Sequence, residues 1–316
     1  MYGKENFLKV KANIENRRSE AISRSERRNE EIRALSSKVR QIDEELSKTC
    51  LLIFKTACEG GDIEKIRKRN TELLEERKNE ILRLGYPEDY TDVKYTCTVC
   101  NDTGFVDTGM CECMKKMIIN ENLLSSGMGA LIEKQTFDNF DIEWYKDDAK
   151  NYEQMKNNLK IVKSFADGFK LRSGKNLIIF GTTGTGKTHL TTALARTVIE
   201  KGYEVVYNSI QSIIDDFEND KFRHGFSADK PVSDKYLECD LLIIDDLGTE
   251  FATQFSLSVI YNLLNTRQNK GLSTVITTNL KNGEFNAKYE DRIYSRIVGG
   301  DSILLKFVGR DYRINR

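Results

Sequence analysis

Apolar residues recur at three- and four-residue intervals through the first 84 positions. Phe7, Val10 and Ile14 open the series, and Ile32, Leu35, Val39, Ile42, Leu46 and Ile53 continue it. Charged side chains fill the other faces, so the pattern predicts long amphipathic helix with coiled-coil-like spacing. Gly60-Gly61 breaks it, and Asp62 is placed to cap a second helix carrying Ile63, Ile66, Leu73, Leu74, Ile81 and Leu84. Gly85-Tyr86-Pro87 ends that helix. A hairpin packed on itself fits the pattern. So does an arm with part of its apolar stripe reserved for a protein partner, because so small a hairpin has little core of its own.

From residue 151 the period alternates. Helices are expected at 151–171, 187–200, 209–223, 254–268 and 287–297, and strands at 176–180, 204–208, 241–245, 274–278 and 302–307. Five short, mostly apolar strands separated by helices predict an α/β fold with a five-stranded parallel sheet covered on both faces. The expected division is a helical arm over 1–90, a cysteine segment over 91–118, a linker over 119–150 and the α/β domain over 151–316.

Composition narrows the class. The chain of 316 residues has a formal net charge of zero, so no overall basic field marks it for nucleic acid, and any such contact needs a local patch. Arg17, Arg18, Arg24, Arg27 and Arg28 are interleaved with Glu15, Glu20, Glu26, Glu30 and Glu31, which reads as a solvated, salt-bridged helix face. No apolar run approaches the roughly 20 residues that span a bilayer, and the N-terminus is too charged for a secretory signal. Seven cysteines, four of them clustered, point to a cytoplasmic protein with a metal site rather than a disulfide scaffold. Cys50, Cys58 and Cys239 read as buried packing residues.

The chemistry concentrates in two places. Gly181-Thr182-Thr183-Gly184-Thr185-Gly186-Lys187-Thr188 matches the phosphate-binding loop in full, with an apolar strand before it and a helix after it. Inward-facing backbone N–H groups and the helix N-terminus suit phosphate. Lys187 is placed to neutralise the β- and γ-phosphates of ATP, and the Thr188 hydroxyl to ligate Mg²⁺. Leu241-Leu-Ile-Ile-Asp245-Asp246 supplies acids at the end of a buried strand: Asp245 for the magnesium-linked carboxylate and Asp246 to orient the attacking water. Glu250 is a substitute for Asp246. His189 reads as a packing or sensing position, and Tyr207 and Tyr261 as core. Lys221, Arg223 and Lys230 are candidate DNA phosphate contacts.

The second place is Cys97-x2-Cys100-x10-Cys111-x-Cys113, with turns at Asn101-Asp-Thr-Gly104 and Gly109. Two close pairs joined by a loop set four thiolates around Zn²⁺, which favours a closed structural site. A [2Fe–2S] cluster and a reduced-thiol loop are the alternatives.

With these motifs in order, the chain resembles the AAA+ ATPases, and among them the helicase loaders of the DnaC/DnaI type. The residues that carry the resemblance are 181–190, 241–248, Thr277-Thr-Asn279, Asp291-Arg-Ile-Tyr-Ser-Arg296 and Gly309-Arg-Asp-Tyr-Arg313, with Thr136-Phe-Asp-Asn-Phe140 entering the domain. The resemblance implies Asn279 as the polar sensor, Arg296 as an arginine finger reaching a neighbouring subunit, with Arg292 its alternative, and Arg313 as the second sensor. It further implies a replicative hexameric DNA helicase and single-stranded DNA as partners in DNA replication, with homo-oligomers formed on ATP or DNA. A transposition helper of the IstB type shares the motifs, and an adaptor that binds ATP with little hydrolysis is a third reading.

Overall fold

Three helices, not two, carry the N-terminal apolar series: α1 (Lys4–Leu35), α2 (Ser37–Cys58) and α3 (Glu64–Arg83). The additional break falls at Ser36, whose backbone is extended (φ −133°, ψ 114°) and whose hydroxyl accepts the Val39 N–H at 3.3 Å as an N-cap. Leu35, expected in the stripe, is 56% exposed. The break instead lets Ile32 and Val39 close on Ile81 in one small core, flanked by Leu84, Tyr86 and Tyr90. The computed structural model describes residues 4–222, 231–299, 302–312 and 314.

The chain divides into two compact units, residues 11–114 and residues 1–10 with 115–316. In the first, α2 and α3 form an antiparallel hairpin. Glu45 pairs with Arg69, Asp43 with Arg77 and Ser36 with Glu80, so partners descend α3 as they ascend α2. Asp62 accepts the Glu64 N–H at 3.0 Å, the capping contact expected of it. Cys50 and Cys58 are exposed, not buried: they lie on the solvent side of α2, while Cys239 is buried as expected. A two-stranded antiparallel ribbon, β1 (Phe105–Val106) and β2 (Gly109–Met110), joins the two cysteine pairs.

In the second unit, α4 (Glu112–Ser125, beginning in the first), α5 (Leu131–Lys134) and a 3-10 turn (Ile142–Tyr145) precede α6 (Ala149–Asp167). Then follow β3 (Leu177–Phe180), α7 (Lys187–Glu200), β4 (Val205–Ser209), α8 (Ile210–Phe222), α9 (Asp234–Glu238), β5 (Leu241–Asp245), α10 (Gln254–Asn269), β6 (Ser273–Thr278), α11 (Asn282–Lys288), α12 (Asp291–Val298) and β7 (Ile303–Lys306). The strands form one sheet in the order β4-β5-β6-β3-β7, every pair parallel.

Strand side chains alternate between two layers. Leu177, Ile179, Leu241, Ile243 and Val275 join the core with α6 and α7, through Met155, Val162, Leu190 and Leu194. Ile178, Leu242, Ile244 and Ile276 join the other with α8, α10 and α12, through Ile213, Ile260, Leu263 and Ile293. Each such side chain contributes about 1.5–3 kcal/mol on burial, so packing on both faces fixes the strand ends that carry the motifs. Met128, Ile132, Phe140 and Tyr145, in the stretch read as a linker, are buried in the first of these cores. No helix among the described residues is long and apolar enough to cross a membrane.

Candidate functional site

The phosphate loop leaves β3 and turns into α7 through Gly186, which takes the N-cap position with left-handed backbone (φ 82°). An L side chain is strained there, and a Cβ would lie 2.8 Å from the Phe140 ring. Glycine at the N-cap brings no capping side chain of its own to the start of α7, an arrangement that suits an anion. Thr185 Oγ1 donates to Thr182 O at 2.7 Å and closes the loop. The Lys187 ammonium is buried and donates to Gly181 O (2.7 Å), Thr182 O (2.9 Å) and Asn279 Oδ1 (2.7 Å).

The sheet order explains how distant motifs meet. β6 lies between β3 and β5, so its end stands between the loop and the acids. Asn279 bridges them: its Oδ1 accepts from Lys187, and its Nδ2 donates to Asp246 Oδ1 at 3.1 Å. Thr277 Oγ1 accepts the Asp246 N–H at 3.0 Å and donates to Asp245 Oδ1. Asp246 adopts left-handed backbone (φ 54°), which turns the chain after β5 and separates the two carboxylates.

Tyr207, read from the sequence as core, donates its hydroxyl to Asp245 Oδ2. Burial, and then the Asp245 charge, push its phenol well above the usual range, while a bond with the Thr188 side chain opposes this. Thr188 and Asp245 are the hard oxygen donors that could hold a Mg²⁺ ion through hydroxyl, carboxylate and water. No sequence signal marked Tyr207, because an aromatic residue in a strand is ordinarily packing.

A cavity of about 390 Å³ is lined by Thr183, Gly184, Gly186, Lys187, Thr188, Asp246 and Asn279, and also by Gln135, Phe140, Trp144, His189 and Tyr312. His189 Nε2 is within 2.9 Å of Thr136 O and 3.0 Å of Asn139 Oδ1, and so acts as donor to both. This ties α7 to the Thr136–Phe140 stretch. Glu250 does not serve the cavity. Its two oxygens accept from Gly248 N (2.8 Å) and Tyr289 Oη (2.7 Å), and it pairs with Lys288, so it is not placed as a substitute base. Arg296 stands apart on α12, its guanidinium 4.6 Å from the centre of the Tyr261 ring and its Nε donating to Asn265 Oδ1 at 2.9 Å. Tyr261 is thus a platform for Arg296. Lys221 faces the Phe255 ring at 4.9 Å. Arg223, Lys230 and Arg313 lie outside the described residues.

In the other unit, the Sγ atoms of Cys97, Cys100, Cys111 and Cys113 all lie within 4.8 Å of one another. Cys97–Cys111 is 3.9 Å and Cys100–Cys113 3.5 Å. A tetrahedral ion with Zn–S bonds of ~2.3 Å sets its sulfurs about 3.8 Å apart. Convergence on one point suits a single ion rather than a two-iron cluster, whose cysteine pairs ligate separate irons. Burial alone would raise the Cys100 thiol, but the Gly104 N–H and the other three thiols bring it down to about 7, while burial and Cys100 push Cys113 up. Asn101 and Asp102 are both left-handed (φ 49° and 52°). The buried Asp102 carboxylate accepts the N–H groups of Thr96 (2.8 Å) and Cys97 (3.0 Å) and pairs with Arg17 (2.6 Å), which braces the turn.

Comparison with known proteins agrees with this geometry. Residues 122–299 match the family model described as IstB-like ATP binding protein. The replicative helicase loader DnaC of Buchnera aphidicola is 24% identical over 204 residues, 63% of this chain and 77% of that protein. An insertion sequence ATP-binding protein of Sinorhizobium fredii is 31% identical over 121 residues, 38% of this chain and 39% of that protein. A crystal structure of DnaI superimposes with a TM-score of 0.47 at 18% identity, covering 58% of this chain and 94% of that one. Since the family match takes in more than half of the chain and holds the phosphate loop, the acidic strand end and Asn279, the chain belongs to the IstB-like ATP-binding proteins.

Proposed function

We propose that the chain is an ATPase that loads a replicative DNA helicase onto single-stranded DNA, with ATP binding and hydrolysis as the switch. The observation that carries the reading is the Lys187–Asn279–Asp246 relay in one cavity, which links the group that would hold the γ-phosphate to the carboxylate that would orient water. Asp246 would align the nucleophile, Asn279 would report phosphate to it, and Lys187 would exchange its loop carbonyl partners for phosphate oxygens. Thr188 and Asp245 would hold Mg²⁺, which supplies charge neutralisation on the phosphates when bound. Arg296 would act on a neighbour's nucleotide, and Arg313 on its own.

The helical hairpin with its cysteine turn would dock the helicase, with Cys97, Cys100, Cys111 and Cys113 holding Zn²⁺ as a structural ion. The match to DnaC, which spans most of that loader, supports this reading. The family description and the insertion-sequence relative favour a second one, a transposition helper acting with a transposase. A pull-down with a replicative hexameric helicase, with and without ATP and single-stranded DNA, separates them. The loader reading expects ATP-dependent capture of the helicase. Capture of a transposase and not of the helicase would reverse it.

A further inference from the structure

Asp246 is held in the left-handed region (φ 54°), a conformation that an aspartate keeps only where its surroundings fix it. One set of contacts comes from β6. Thr277 O accepts the Leu247 N–H at 2.8 Å, and Thr278 Oγ1 donates to Leu247 O, beside the bond from the Asp246 N–H to Thr277 Oγ1. Thr249 closes the turn, its N–H and its hydroxyl both donating to Asp246 O, at 3.2 and 2.9 Å.

The other set comes from the end of α11. Lys288, the last residue of that helix, donates to Gly248 O and Glu250 O and pairs with the buried Glu250 carboxylate at 3.4 Å. Glu250 spends both its oxygens on this turn and its support, accepting from Gly248 N and from the Tyr289 hydroxyl. Burial, and then the bond to Glu250, push the Tyr289 phenol above its usual range, so it stays a donor. Gly248 is left-handed as well (φ 107°), and a Cβ there would lie 2.5 Å from Leu280. A buried ion pair is a weak source of stability, because desolvation offsets the attraction, but it can impose one geometry. Here the geometry imposed is that of the turn which starts at Asp246.

We propose that Glu250, Lys288 and Tyr289 are positioning residues, holding the Asp246 carboxylate where it orients the attacking water. The inference rests on the reading of Asp246 as the water-orienting group. These three side chains touch neither nucleotide nor water in this role. They act through the backbone of residues 246–250, and a carboxylate misplaced by ~1 Å costs about a hundredfold in rate.

The test is single-turnover phosphate release beside equilibrium ATP binding, both with the full chain. Glu250→Gln keeps the shape but turns one acceptor into a donor that faces a donor. It should lower the rate by about ten- to a hundredfold and leave ATP affinity within about twofold of wild type. Added to Asp246→Ala, it should cost nothing further, because its effect passes through the carboxylate already removed. A side chain that merely supports the fold would lower the rate by the same factor in both backgrounds. If Glu250→Gln does not fold, Tyr289→Phe, which keeps the ring, should lower the rate by about threefold with the same lack of further loss beside Asp246→Ala. Wild-type rates in the folded variants, or a full additional loss on top of Asp246→Ala, overturn the inference alone. An Asp246→Ala chain that keeps wild-type turnover overturns the reading of Asp246 and the inference with it.

Discussion

Asp245 and Asp246 carry the same side chain into unlike surroundings, because the backbone reverses hand between them. Asp245 ends β5, and its carboxylate receives the hydroxyls of Tyr207 and Thr277. Asp246 enters the left-handed region and presents its carboxylate to Asn279 in the cavity. In the proposed cycle the first serves the metal and the second the water, so substitutions at the two loci separate. Asp246→Ala should lower hydrolysis by at least about a hundredfold while ATP still binds, measured as phosphate release beside equilibrium binding. Tyr207→Phe keeps the ring and removes one donor to Asp245. It should raise the Mg²⁺ concentration that half-saturates ATP binding by about tenfold and leave metal-free nucleotide affinity unchanged. An unchanged Mg²⁺ midpoint would reduce Tyr207 to a packing residue, and unchanged turnover would remove Asp246 from its role. The loop and the acids were legible because phosphate chemistry dictates their spacing. The contacts of Tyr207 and Thr277 with Asp245 were not, since they depend on strand register across β4, β5 and β6, which local pattern does not encode.

At the scale of elements, period was a good guide where one face alone is buried and a weaker one where helices change direction. The five strands appear where alternation and apolar runs put them, to within a residue or two at most ends. The break at Ser36 was hidden because Leu35 continues the apolar series although it faces solvent. What exposes it is tertiary: Ser36 Oγ donates to the buried Glu80 at 3.1 Å, so the cap is anchored from α3. The cysteine turn is the element most dependent on something besides side-chain packing. Its ribbon is two residues long on each strand, and four thiols face one another at its base. Cys111→Ser, or exposure to a strong chelator, should release about one Zn²⁺ per chain and make the 97–113 loop protease-sensitive. Far-UV helicity should persist, because the core of Ile32, Val39 and Ile81 contains no cysteine. Recovery of iron, or of no stoichiometric metal, from the purified protein counts against zinc.

At the scale of the whole molecule, a chain with zero formal net charge has little long-range field with which to recruit DNA, so contact with a partner has to be local. Arg296 is the clearest candidate for such a contact. It lies outside the cavity lining, yet it is held by stacking on Tyr261 and by a hydrogen bond to Asn265, and it sits on a helix whose buried face is Ile293 and Ile297. In the proposed assembly a guanidinium held this way would serve another subunit's phosphates, whereas Arg292 on the same helix is exposed and pairs locally with Glu290 at 3.3 Å. If Arg296 acts in trans, Lys187→Ala and Arg296→Ala subunits should each be inactive alone, the first for want of a nucleotide and the second for want of a finger. Each substitution should cost about a thousandfold or more in turnover. Mixed, they should recover activity, because an Arg296→Ala subunit keeps its nucleotide and a Lys187→Ala neighbour still offers Arg296. The recovered rate should rise with protein concentration as mixed assemblies form, and Arg292→Ala alone should keep most of the wild-type turnover. A mixture that co-assembles but stays as inactive as its components would place Arg296 in its own subunit's chemistry, and the nucleotide site would then be complete within one chain.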